Sequence, residues 1–101
     1  MRTAARIDDN QNEIVGQLRS VPGLTVAITS GLGHGMGDFI IGWQGVNSWI
    51  ELKDGDKPPS KRKLTPAERK FHAQWAGQID VALTFEDCLR IIGVSTESAP
   101  F

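Results

Sequence analysis

The stretch Asp38-Phe39-Ile40-Ile41-Gly42-Trp43-Gln44-Gly45-Val46-Asn47-Ser48-Trp49-Ile50-Glu51-Leu52-Lys53 decides the fold. Apolar and β-branched residues flank Gln44-Gly45, a turn signal, so the segment reads as two strands joined tightly. With Gln44 and Gly45 as the loop residues, Trp43 faces Val46, and counting back sets Asp38 opposite Glu51. Directly opposed residues have Cβ atoms roughly 5 Å apart. Lys53, two residues past Glu51, shares its face of the strand. A four-residue loop shifts the register by two and still keeps all three side chains on that face.

Outward from the hairpin, local signals order the rest of the chain. Upstream, a helix is expected over about residues 9 to 20, capped by Asp8 or Asp9, with Ile14, Val15 and Leu18 on its buried face. Val21-Pro22-Gly23 ends it, and Leu24 to Thr29 alternates as a first strand. Ser30 to Gly37 carries glycine at alternate positions, Gly31, Gly33, Gly35 and Gly37. Such a run permits unusual backbone angles and the close approach of a nucleic-acid backbone. Downstream, Asp54 to Lys63 is a polar loop centred on Pro58-Pro59, without regular structure. Thr65 as N-cap, Pro66 as first helical residue and Glu68 as third make a capping box. Ala67, Phe71 and Trp75 then form an apolar stripe, and Gly77 stops the helix. Gln78 to Leu83 reads as a short strand, and Thr84 with Asp87 opens a last helix through about Ile92. A strand, a crossover helix and a strand imply a parallel, right-handed connection. The expected fold is α/β: an αβββαβ core with a mixed sheet flanked by helices, in one domain spanning residues 1–101. Its core covers about residues 10–92, and the tail from Gly93 is expected to fray.

Composition bounds the partners. A chain of 101 residues, 40% hydrophobic and 23% charged, is an ordinary globular domain. No apolar run approaches the roughly 20 residues that span a bilayer. The N-terminal Met-Arg-Thr-Ala-Ala-Arg-Ile-Asp-Asp lacks an apolar signal core, and Cys88 stands alone, which together point to the cytoplasm. Cys88 beside Leu89 and Ile92 reads as a buried, inert thiol. Seven of the eleven Lys and Arg residues lie between Lys53 and Lys70. That segment is net positive while the rest of the chain is net negative, an asymmetry that suits a polyanion and equally an ordinary solvated loop.

The hairpin carries the chemistry. Two buried carboxylates beside one another repel and are each penalised by desolvation, a cost that a divalent cation relieves. Magnesium takes oxygen ligands and keeps several waters, so Asp38, Glu51 and the Leu52 backbone carbonyl suffice to hold it. Such an ion neutralises a phosphate oxygen and acidifies a water, while Lys53 supplies a point charge at the same rim. Together the parts suit phosphodiester hydrolysis. A surface hairpin with Asp, Glu and Lys paired across strands shows the same residue pattern.

The chain resembles the PD-(D/E)xK nuclease superfamily, and within it the small phage and bacterial VRR-NUC-type, Holliday-junction-resolvase-like nucleases. The resemblance rests on Asn12-Glu13-Ile14-Val15-Gly16-Gln17-Leu18, on Gly35-Met36-Gly37-Asp38-Phe39-Ile40-Ile41-Gly42 and on Ile50-Glu51-Leu52-Lys53-Asp54-Gly55. It continues through Lys57-Pro58-Pro59, Lys63-Leu64-Thr65-Pro66-Ala67-Glu68, Phe71-His72 and Trp75. It implies a restriction-endonuclease-like core, Asp38 and Glu51 as metal ligands, Lys53 as the catalytic lysine, and Glu13 reaching the site from the first helix. Read without it, Glu13 is an exposed residue on a polar helix face. Two positions depart from the family pattern: Gly37 stands where the first motif has proline, and Glu68 where many relatives have glutamine. The Val-Arg-Arg motif of the VRR-NUC group has no clear copy here.

Other readings fall away. The glycine run lacks the ending of a phosphate-binding loop and the spacing of a dinucleotide loop, so no organic cofactor is expected. One cysteine and the separated His34 and His72 make no zinc pattern. His34 is a candidate phosphate contact or a solvent-exposed loop residue, and His72 a partly buried helix residue. Trp43 and Trp49 suit the core better than base stacking. Lys57, Lys61, Arg62 and Lys63 are the candidate nucleic-acid contacts. The expectation is a magnesium-dependent endonuclease acting on DNA, with manganese substituting, possessed of a structure preference for branched or junction DNA, phage- or bacterium-encoded, and homodimeric. The alternative is an inactive nucleic-acid-binding or assembly module with the same fold.

Overall fold

The computed structural model describes residues 10–94. Asp8 and Asp9, offered as helix caps, and the tail beyond residue 94 lie outside the described residues. The elements run α1 (Gln11–Arg19), β1 (Thr25–Ile28), β2 (Phe39–Trp43), β3 (Val46–Leu52), α2 (Pro66–Gln74), β4 (Asp80–Ala82) and α3 (Phe85–Ile92). The strands form one sheet in the order β1-β2-β3-β4, with β1–β2 and β2–β3 antiparallel and β3–β4 parallel. This is the α/β mixed sheet and the αβββαβ order expected from the sequence. Among the described residues no helix is long and apolar enough to cross a membrane.

The hairpin register is the one set by a two-residue loop: Trp43 pairs with Val46 and Phe39 with Ile50. Gln44 and Gly45 both have positive φ, 50° and 81°, the backbone twist that joins two strands without splaying them. Alternation along the strands then sorts the two faces. Phe39, Ile41, Ile50 and Leu52 point to one side and are fully buried with Leu18, Ala82, Cys88 and Leu89, beneath α1 and α3. Asp38, Trp49, Glu51 and Lys53 fall on the other side, where α2 packs. Cys88 belongs to the core, and burial pushes its thiol up to about 12, which makes it unreactive at neutral pH.

Helix α2 has no buried residue of its own. It is held by rings and by the ion pair of Lys53 with Glu68. Phe71 and Trp75 stack on each other at 5.3 Å and meet Trp49 edge-on at 5.4 and 5.2 Å. Aromatic pairs of this kind contribute about 0.5–1.5 kcal/mol beyond their buried area. The helix starts as its sequence dictates: Thr65 Oγ1 accepts from the Glu68 amide at 3.2 Å, and Glu68 Oε1 accepts from the Thr65 amide at 2.8 Å. Thr65→Ala is expected to cost about 1 kcal/mol, read from the urea midpoint. An unchanged midpoint would mean that tertiary contacts alone hold the helix start.

Several boundaries differ from the sequence reading, each for a local reason. The last strand begins at Asp80 rather than Gln78 because the Gln78 side chain itself completes the ladder. Its Oε1 accepts from the Trp49 amide at 2.6 Å and its Nε2 donates to the Trp49 carbonyl at 2.9 Å. Helix α2 ends with Trp75 as its C-cap, two residues before Gly77, where the indole turns back to join the ring cluster. The Asp54–Lys63 loop contains a short 3-10 turn, Pro59–Lys61, entered through the fixed φ of Pro59.

The glycine loop is shaped by close approach. Gly35 has φ +78°, and a Cβ there would run into the carbonyl of Ala67. The backbone that approaches it is thus α2's own. Gly35→Ala combines a strained φ with a clash against backbone, and about 2 kcal/mol of destabilisation is expected by denaturant unfolding. Gly37 is buried under Trp49: a Cβ would lie 2.6 Å from Nε1 of the indole. The departure from proline at this position therefore makes room for Trp49, whose Nε1 donates to Thr29 Oγ1 at 3.0 Å.

Candidate functional site

Asp38 stands just before β2 and is 5% exposed. Its amide donates to the Ile50 carbonyl and its carbonyl accepts from the Thr29 amide, both at 2.8 Å, which fixes the backbone from both neighbouring strands. Its Oδ2 accepts from the Leu52 amide at 2.7 Å. The carboxylate thus takes the ladder position where β2 has run out of backbone partners, and it is aimed along the edge of β3. Glu51 and Lys53 follow on the same face, 1% and 7% exposed. The Lys53 amide donates to the Ala82 carbonyl at 2.9 Å, so β4 holds the strand straight up to the lysine.

Two residues of α2 close the group. Lys53 Nζ lies 2.7 Å from Glu68 Oε1 and 3.8 Å from Glu51 Oε2. His72 Nε2 lies 4.0 Å from Glu51 Oε1. Asp38, Glu51 and Lys53 come together as the hairpin register requires, and Glu68 and His72 join them. Neither of the last two was picked out from sequence as a neighbour of the acids. Their spacing carried the available signal: residues four apart on a helix share one face.

The electrostatics follow from crowding. Burial, and then the charges of Asp38 and Glu68, push the Glu51 carboxyl up to about 10, so it is protonated at neutral pH. Burial also opposes ionisation of Glu68, but hydrogen bonds from Lys53 and from the Thr65 backbone outweigh it and hold its carboxyl below the usual glutamate value. Burial lowers His72 despite the opposing pull of Glu68, leaving a neutral imidazole at pH 7.

The remaining candidates sit elsewhere. Glu13 is exposed on α1 and lines a cleft of about 510 Å³ with Asn10, Asp54, Asp56, Glu86 and Asp87. Asn10 Nδ2 is 3.5 Å from the Lys53 carbonyl and 3.4 Å from the Leu83 carbonyl, which places the start of α1 beside the backbone of Lys53. The Lys53 side chain, by contrast, is engaged with α2. Lys61 and Lys63 are exposed, as is His34 with φ +58°. Lys57 and Arg62 are half-buried, and Arg62 Nε donates to the Lys57 carbonyl at 2.7 Å. That bond pins the loop. Trp49 is committed to the ring cluster and Trp43 packs against the core.

No protein-family profile, curated protein or solved structure matches the chain. What fold and site define is a small α/β protein with an acid–lysine cluster enclosed between a mixed sheet and one helix. Whether those residues fit a divalent cation is a question of donors. Glu51 Oε1 and His72 Nε2 are buried with no hydrogen-bond partner. An unsatisfied buried carboxyl oxygen beside a second acid would suit a hard cation that displaces the proton and keeps part of its water. Among the described residues no three His, Cys, Asp or Glu side chains stand together as a ready ligand group. An ion here would therefore complete its shell with water or backbone oxygen.

Proposed function

We propose that this protein is a metal-dependent endonuclease that hydrolyses DNA phosphodiester bonds at the Asp38–Glu51–Lys53 cluster. The observation that carries the reading is the convergence of these three nearly buried side chains on one sheet face, with Glu51 Oε1 left unpartnered. Asp38 and Glu51 hold magnesium or manganese, with the Leu52 carbonyl as a further oxygen. When bound, the ion supplies charge for a phosphate oxygen and lowers the pKa of a water. Lys53 keeps a positive charge beside the reacting phosphate, and Glu68 holds its ammonium in place. Lys57, Lys61, Arg62, Lys63 and His34 are the proposed phosphate contacts, and two copies of the chain would present two such sites to branched DNA.

The test is cleavage of labelled four-way junction, flap, single-stranded and duplex DNA with magnesium or manganese, beside Lys53→Ala and Glu51→Ala. Cutting that needs metal and vanishes in both variants supports the nuclease. A second reading, a binding or assembly module without catalysis, is favoured by one observation. Lys53 is already paired to Glu68, and Glu51 is protonated, so the cluster is self-contained. It predicts DNA binding unchanged in both variants, with no cutting and no stabilisation by metal.

A further inference from the structure

The acid–lysine cluster is closed in this arrangement. Asp38, Glu51 and Lys53 are all nearly buried, so a phosphodiester cannot reach Glu51. What covers Glu51 is the C-terminal half of α2, with His72 Nε2 at 4.0 Å from Glu51 Oε1. Of the three helices α2 is the least firmly packed. Helices α1 and α3 bury Ile14, Val15, Leu18, Cys88 and Leu89 and lie close against the strands. Helix α2 buries nothing, and among the described residues it comes comparably close to no strand or helix. Its contact with Glu51 is also unsatisfied. Glu51 Oε1 and His72 Nε2 are buried without a hydrogen-bond partner, and their separation is too long for a bond between them. Unmade bonds of this kind cost free energy that contact with water returns, which favours opening.

The two ends of α2 are held differently. At its start Glu68 is bonded to Lys53 and to the Thr65 amide, and the Ala67 carbonyl rests against Gly35. At its end the hold is aromatic: Phe71 and Trp75 meet Trp49, and Trp75 is itself exposed. Beyond it Ala76 and Gly77 are exposed and lead to Gln78, whose side chain is fastened to the Trp49 backbone. A fixed start, an aromatic latch and a short exposed connection are the parts of a hinged cover.

We propose that the C-terminal half of α2 is a lid over Glu51, latched by the packing of Phe71 and Trp75 on Trp49, and that it lifts about the fixed Glu68 end to admit a DNA strand. Lifting carries His72 away from Glu51 and leaves Lys53 with Glu68. The gating role rests on the nuclease reading above; the opening itself does not.

The test reads access to His72 directly, in the whole chain without DNA or metal. Diethyl pyrocarbonate acylates an imidazole nitrogen only where it can reach it, and the exposed His34 serves as the internal reference. We expect His72 to react at least about tenfold more slowly than His34, since only the open fraction presents its nitrogen. Its rate should be nearly independent of urea below the unfolding transition, the mark of a local opening that exposes little surface. Phe71→Ala and the milder Phe71→Leu remove the ring contacts. The full truncation should speed the reaction of His72 about tenfold, with His34 unchanged. In the cleavage assay at limiting DNA the same variants should cut faster by a similar factor. A Phe71→Ala protein that unfolds is recognised by its lost circular dichroism, and Phe71→Leu then decides.

Three outcomes overturn the proposal in different ways. If His72 reacts as fast as His34, or only in step with global unfolding, or at the same rate in the Phe71 variants, there is no lid, whatever the protein does to DNA. If His72 opens locally and faster in the variants but cutting is no faster, the lid does not gate the site and the nuclease stands. If no form cuts any DNA, the nuclease reading fails and the gating role with it, while the opening remains.

Discussion

Lys53→Ala is expected to lower the DNA cleavage proposed for this cluster by roughly 10²–10³-fold, the range seen when one charge-stabilising donor is removed from a reaction centre. The reason lies in placement. The lysine is 7% exposed and its ammonium lies within ion-pairing distance of Glu51 and Glu68, so it sits in a low-dielectric pocket. There a point charge acts far more strongly on a developing negative charge than it does in water. Folding should survive the change, because the apolar core lies on the opposite face of the sheet. Glu68 also keeps its bond from the Thr65 amide. Single-turnover rates, with circular dichroism to confirm the fold, make the measurement. A variant that cuts within about tenfold of wild type would remove Lys53 from the chemistry and leave it as the helix-docking partner of Glu68, a loss too small for a charge-stabilising donor.

The second large effect concerns stability and has the opposite sign. Glu51→Gln is expected to stabilise the metal-free protein by about 3 kcal/mol at pH 7, because holding a proton that the unfolded chain has released costs roughly 1.4 kcal/mol for each pH unit above the ordinary carboxyl value. The folded-state carboxyl is raised from 4.5 to about 10, first by burial and then by Asp38 and Glu68. A raised folded pKa contributes stability that is complete below 4.5 and is lost as pH rises toward about 10. Across that window the unfolded chain releases the proton while the folded chain must retain it. Glutamine is neutral throughout, so it escapes the loss, and Asp38 and Glu68 offer its amide two acceptors. Melting temperatures at pH 5 and pH 8 without divalent ions should diverge, the variant gaining at the higher pH. Parallel curves would show that Glu51 is ionised in the fold.

Metal should reverse the order. An ion held as proposed by Asp38 and Glu51 would need the carboxylate, so its binding at neutral pH would displace the Glu51 proton. Wild type then gains stability with Mn2+ and Glu51→Gln gains little. Residues poised for function commonly weaken the fold that carries them. In this cluster the cost has an identifiable source, a buried acid pressed between two others.

Much of this arrangement was legible from local rules. The hairpin register followed from Gln44-Gly45 and the period-two alternation, and it placed Asp38, Glu51 and Lys53 on one face. The Thr65–Glu68 capping box and the Thr84–Asp87 helix start were legible because a helix start depends on residues only three apart. Burial of Cys88 and the parallel pairing of β3 with β4 followed from pattern and connection length. These features rest on backbone angles and spacings that neighbouring residues set for themselves.

Tertiary structure alone decided the rest. It laid α2 over the acid face, and so turned Glu68 from a helix cap into the partner of Lys53 as well. It brought His72 to Glu51, filled the space over Gly37 with Trp49, and let the Gln78 side chain finish the sheet edge. It also set Glu13 in a separate cleft while tying neighbouring Asn10 to the Lys53 backbone. The physical reason is common to all of these. Each is a contact between segments far apart in the chain, made by side chains whose directions depend on how one element docks upon another, and no local spacing encodes that angle.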